Sequence, residues 1–114
     1  MRLSHAQIMQ QLPELNAWAL DETTGKIYQT LQFDCFASAL AFFAQLGALA
    51  EAQDHHPEVY SSYTHMKVQL CTHDVGGLSQ KDFDLAKAMD ALISDAFANR
   101  CKVILPTRHQ PLSP

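Results

Sequence analysis

Glycine is scarce: the chain carries four among 114 residues, at positions 25, 47, 76 and 77. Neither the phosphate-cradling G-x-x-x-x-G-K-[ST] loop nor the dinucleotide G-x-G-x-x-G pattern can be written with them. Cysteine is equally sparing. Cys35, Cys71 and Cys101 are odd in number, widely spaced and form no C-x-x-C pair, which suits three free thiols in a reduced compartment better than a disulfide framework or a zinc ribbon. Lys and Arg number 8 against 12 Asp and Glu, a formal charge of −4, and no basic cluster tracks a phosphate backbone, so no nucleic-acid partner is expected. The longest apolar stretch, Cys35 to Ala50, is broken by Ser38 and Gln45 and falls short of the ~20 residues of a membrane-spanning helix. Met1-Arg2-Leu3-Ser4-His5 leads into an amphipathic segment without the apolar core of a secretion signal. No membrane partner is expected, and the cytoplasm is the default compartment.

What is present is 47% hydrophobic residues against 18% charged, enough for one core in one domain. Ser4 with Gln7 forms a capping-box pattern ahead of Ile8, Met9 and Leu12, giving a short first helix before Pro13. The run around Trp18, the turn chemistry of Asp21 to Gly25 and the alternation of Ile27, Leu31 and Phe33 with polar neighbours predict two antiparallel strands joined by a hairpin. Asp34 is placed to cap a second helix, in which Phe36, Ala39, Leu40, Phe43, Gly47 and Ala50 recur at helical spacing. Pro57 stops it. Glu58 to Tyr60 suits an edge strand, and Met66, Val68 and Leu70 mark a half-buried one. After Gly76-Gly77, Ser79 with Asp82 repeats the capping box, and Leu85, Met89, Leu92 and Ala96 line a third helix. The expected class is α+β, a four-stranded antiparallel sheet with three helices packed on one face. The domain is expected over 1–100. Residues 101–114 form a C-terminal tail, suited to a loose terminus or to a strand docked on a partner.

Six histidines are a surplus for this length, and three fall at element ends: His55 and His56 after a helix, His73 after a strand. If that helix crosses that strand, the three imidazoles meet at one rim of the sheet near Glu51, Asp54, Asp74 and Asp82. Such a cluster can hold one ring protonated as an acid and another neutral as a base. No serine lies in a G-x-S-x-G elbow and no cysteine carries a thiol-hydrolase signature, which disfavours covalent catalysis. A three-histidine zinc site is the rival chemistry. Its spacing is poor, because adjacent His55 and His56 point to opposite sides of an extended chain and no H-x-x-x-H pair exists.

The pattern Glu51-x-x-x-His55-His56-Pro57, Tyr63, Thr72-His73-Asp74-x-Gly76-Gly77-Leu78-Ser79, Asp82, Leu85-Ala86 resembles the pterin-4a-carbinolamine dehydratases in order and spacing. Leu3-Ser4, Trp18, Ile27, Phe33, Phe36, Ala39 and Phe43 extend the resemblance over about residues 3 to 97. The resemblance implies dehydration of 4a-hydroxytetrahydropterin to quinonoid dihydropterin, in recycling of tetrahydrobiopterin, with no metal and no organic cofactor. It implies that His55, His56 and His73 divide the acid and base roles, that Asp82 orients a histidine, and that Glu51 supports the site. The pterin would lie against Asp54, His55, His56 and Pro57 on one side and Cys71, Thr72, His73 and Asp74 on the other, with backbone groups reading its amide-like edge. The family also implies a homodimer or homotetramer. Val59 and Gln29 depart from it, standing where an aromatic and a basic residue are frequent.

Several of these residues have plainer roles open to them. Asp82 suits a helix start by position alone, and Glu51 suits an exposed helix end. Trp18, Phe36 and Phe43 suit core packing, and Tyr63 suits a buried strand anchor. Gly76 and Gly77 permit a tight turn, and His5, His65 and His109 suit the surface. The alternative to an enzyme is a non-enzymatic interaction module of the dimerisation-cofactor type, for which nothing basic or regulatory speaks.

Overall fold

The strand Ile27–Phe33 (β2) is the axis of the molecule. Ile27, Gln29, Leu31 and Phe33 are buried on one face, while Tyr28, Thr30 and Gln32 face the other way. This is the period-2 alternation of a sheet covered on one side. The computed structural model describes residues 1–106, and within them the chain is α+β. Helix α1 (His5–Gln11) is followed by β1 (Ala19–Leu20), β2, α2 (Phe36–Gln53), β3 (Glu58–Ser62), β4 (His65–Leu70), α3 (Gln80–Ala96) and β5 (Cys101–Ile104). The sheet runs β1-β2-β4-β3, entirely antiparallel, with β5 also on β2. Since β4 holds one edge of β2, β1 and β5 share the other, pairing Leu20 with Ile27 and Ile104 with Thr30.

The expected four strands are therefore five. Residues 101–104, set apart as the start of a tail, add a strand of the protein's own sheet, with Phe33 opposite Cys101. The rest of that tail, from 107, and with it His109, lies outside the described residues.

Both capping boxes form. Ser4 Oγ accepts from Gln7 N, and Ser79 anchors α3. The cap of α2 falls on Cys35 instead of Asp34, with no side-chain hydrogen bond. The buried face of α2 is Ala39, Phe42, Leu46 and Ala50. Phe36, Leu40 and Phe43, read as core, are 47%, 53% and 48% exposed. The helix is apolar nearly all round, so two stripes fit a helical period and only packing decides which is buried. Phe42 fills the core beside Phe33 and Phe97, at ring-centroid distances of 5.3 Å from each. In α3, Phe83, Leu85, Ala86, Met89 and Ile93 are buried and Leu92 is partly so, while Ala96 is exposed and Phe97 takes the last core position. Tyr63 is no buried anchor. It sits in the β3–β4 turn in the left-handed region (φ 54°), 73% exposed, stacked on Phe36.

Trp18 is buried as expected, and its indole explains a polar feature of the core. Trp18 Nε1 and Gln29 Nε2 donate to Asp90 Oδ1 at 2.9 and 3.2 Å, and Asn16 N donates to Oδ2 at 2.9 Å. Burial raises the Asp90 carboxyl above its ordinary 3.8, against the pull of these three donors. Replacing Asp90 by Ala leaves Trp18 Nε1 and Asn16 N without this acceptor, while Gln29 Nε2 keeps the Asn16 carbonyl, and urea denaturation should show a loss of roughly 1–3 kcal/mol. A carboxyl whose pKa is higher in the folded state contributes stability that is whole below the unfolded value and lost as pH rises through the folded one. The margin of the parent over Asp90→Asn should therefore be larger at pH 3 than at pH 7, by urea titration at each.

Candidate active site

The end of α2 decides where two adjacent histidines go. Asp54 adopts left-handed geometry (φ 51°, ψ 45°), which a short polar side chain tolerates better than most. Its N–H reaches Ala50 O and Glu51 O, and the next N–H, of His55, returns to Ala50 O at 3.0 Å. This is the Schellman-type closure of a helix C-terminus. The reversal sends His55 inward, 8% exposed, and leaves His56 outside.

Inside, His55 Nε2 lies 2.6 Å from Asp82 Oδ1. Asp82 is fully buried at the first turn of α3. Its second oxygen, Oδ2, accepts from Thr72 Oγ1 at 2.7 Å and from Ser79 N at 3.0 Å. The two hydroxyls of Thr72 and Ser79 are themselves 2.7 Å apart. Asp82 is thus both a helix cap and the partner of a histidine, one oxygen for each task.

Thr72 follows β4 in extended conformation (φ −117°, ψ 99°), so its side chain turns in while those of Cys71 and His73 turn out. His73 is exposed and opens a single 3-10 turn, His73–Val75, which Gly76 ends at φ 69°. Gly77 closes the loop, with Thr72 N donating to Gly77 O at 2.8 Å. A Cβ at Gly77 would come within 2.8 Å of Arg2 Nε, so the missing side chain lets the N-terminus lie across the loop. Leu3 N then donates to Leu78 O.

Outside, His56 Nε2 lies 3.5 Å from Glu51 Oε1, with both side chains mostly exposed, a pair of little energetic weight. His56, Glu51 and Pro57 line a groove of about 440 Å³ with Phe43, Gly47 and Val59. Neither His55 nor His73 lines it. His55 and the His73 loop are instead tied together through Asp82 and Thr72. Asp54 contributes the backbone elbow, its side chain exposed, and Asp74 lies exposed in the 3-10 turn. Lys26 and Glu58, which the sequence reading did not single out, form an ion pair at this end of the sheet. Both act electrostatically on Cys71, whose thiol is pushed up chiefly by burial. Among the described residues no three His, Cys, Asp or Glu side chains gather so as to hold a metal ion.

A buried carboxyl–imidazole pair, tied to a strand end that presents a further imidazole, is chemically able to give and take protons. Comparison with known proteins shows the family. Residues 1–92 match the model of the pterin 4 alpha carbinolamine dehydratase family, and the chain belongs to that family. A Rhizobium johnstonii protein named "Putative pterin-4-alpha-carbinolamine dehydratase" is 43% identical over 89 residues, 78% of this chain and 88% of that one. A Chloroflexus aggregans protein of the same name is 40% identical over 92 residues, 81% and 97% of the two chains. Among solved structures, a transcriptional coactivator/pterin dehydratase from Brucella melitensis superimposes with a TM-score of 0.78 at 32% identity, covering 81% of this chain and 98% of its own. A pterin dehydratase-like RuBisCO assembly factor of the alpha-carboxysome shares the fold at a TM-score of 0.58 and 22% identity, over 68% and 89% of the two chains.

Truncating Asp82 to Ala leaves His55, the Thr72 hydroxyl and the Ser79 N–H without their acceptor in a buried place. Urea unfolding should report a loss of about 3–5 kcal/mol, against roughly 1–2 kcal/mol for Ser79→Ala, which removes the cap hydroxyl and its contact with Thr72.

Proposed function

We propose that this protein is a 4a-hydroxytetrahydrobiopterin dehydratase, a hydro-lyase that removes water from the pterin 4a-carbinolamine to leave the quinonoid dihydropterin. The observation that carries the reading is the His55–Asp82–Thr72 network, which ties a buried histidine to the loop bearing His73 in a chain of this family. In the reaction an imidazolium gives its proton to the 4a-hydroxyl, the C4a–O bond breaks, and water leaves. A neutral imidazole takes the proton from N5, and the N5–H electron pair becomes the C4a–N5 double bond. No electron is gained or lost overall, and the proton donated at oxygen is balanced by the one taken at nitrogen.

His55, His56 and His73 are the groups for these transfers, with Asp82 as the positioning residue for His55. Asp54 to Pro57 and Cys71 to Asp74 border the pterin, whose amide-like edge suits the exposed backbone beyond β4, and Glu51 holds the outer histidine. The reaction belongs to recycling of a spent tetrahydropterin in the cytoplasm. A non-enzymatic interaction module is the competing reading; the exposed aromatic stripe of α2 is what speaks for it, and the intact acid–imidazole network speaks against it.

That stripe has a use in either case. Phe36, Leu40, Phe43 and Tyr63 form an apolar surface on one side of the molecule, and a second copy of the chain docked there makes a homodimer, or a homotetramer if the contact is repeated. Phe43→Asp should lower the mass measured by analytical ultracentrifugation to that of the monomer, while circular dichroism stays that of the parent.

The catalytic reading is checked by following quinonoid dihydropterin formation from the 4a-carbinolamine. His55→Ala and His73→Ala should each lose on the order of 10²-fold or more in kcat, as expected for loss of a general acid or base. Equal rates in the parent and both variants would replace this reading with that of the interaction module.

A further inference from the structure

Cys71 enters the reading above through its backbone, yet its side chain touches the ring of His73. Sγ lies 3.8 Å from Nε2. The contact follows from strand geometry. Leu70 and Thr72 are buried on the helix side, so Cys71 and His73, two apart in extended chain, share the opposite side. Asp82 and Ser79 hold the Thr72 hydroxyl inward, which keeps its two neighbours turned outward together.

In a neutral imidazole one nitrogen carries the proton and the other a lone pair, and the hydrogen bond made by one sets the state of the other. A thiol is a weak S–H donor when it keeps its proton. Burial raises the Cys71 thiol above its ordinary 9.0; Lys26 just before β2 pulls it down, and Glu58 in β3 and Asp82 in α3 push it up. The sulfur is therefore a protonated donor at neutral pH.

We propose that the Cys71 thiol donates to His73 Nε2 and holds the ring as the Nδ1–H tautomer, so that His73 offers the substrate an N–H and not a lone pair. The consequence for catalysis rests on the dehydratase reading; the tautomer does not. At His55 the same ring nitrogen, Nε2, faces Asp82 Oδ1 across 2.6 Å. Cys71 is a positioning residue acting through His73.

The test is long-range ¹H–¹⁵N correlation of the histidine side chains in the labelled full-length protein at neutral pH, with His73 assigned by its absence in His73→Ala. The parent should show His73 as Nδ1–H and Cys71→Ser should retain that form. Cys71→Ala should move it toward the Nε2–H form that an unconstrained neutral histidine favours. In the dehydration assay kcat should fall about tenfold in Cys71→Ala, the scale at which loss of an orienting partner is felt, and recover in Cys71→Ser. An Nε2–H signature at His73 in the parent, or a pattern unchanged in Cys71→Ala, overturns the proposal. The spectra need no substrate, so the expected tautomer in a protein without dehydratase activity would support the pairing and reject the functional reading alone.

Discussion

A single carboxylate holds the site together. Asp82 has no exposure to solvent, and a buried carboxyl is tolerated where its oxygens find hydrogen-bond partners. It finds them in three separate parts of the chain: His55 past the end of α2, Thr72 past the end of β4, and Ser79 at the start of α3. The partial positive charge at a helix N-terminus favours an acid there. The residue that caps the start of α3 is thus also the one that holds an imidazole.

The site was legible to the extent that it lies in local sequence. Ser79 and Asp82 stand three apart, the spacing of a capping box, and the box forms. The two readings of Asp82, cap or histidine partner, looked like alternatives because sequence spacing speaks only of neighbours. A carboxylate has two oxygens, and the fold uses both. Adjacent His55 and His56 do face apart, one in and one out, just beyond a left-handed elbow at Asp54. No periodicity marks that elbow. The contact of Cys71 with His73 was equally silent, being a matter of which side of a strand end each occupies.

The fold was readable where one face only is apolar. In β2 and β4 alternating residues separate a covered from an uncovered side, and both strands form where that alternation lies. Helix α2 defeats the same reasoning. Phe36, Leu40 and Phe43 are as apolar and as regularly spaced as Ala39, Phe42 and Leu46, and only the aromatic packing of Phe42 with Phe33 and Phe97 decides between them. Tyr63 has the composition of a strand anchor but sits at a hairpin tip, where φ is positive. Strand β5 was missed because four residues beside proline carry too short a pattern to separate a paired strand from a tail.

That fifth strand lies past α3 and past the residues matched to the family. It covers the backbone of β2 from Thr30 to Phe33 on the edge that β1 leaves bare. Trimming the protein at the family boundary would uncover a row of unsatisfied amides beside an aromatic core, the usual template for sticking one sheet to another. Strand β5 is, in that sense, a built-in guard against misassembly.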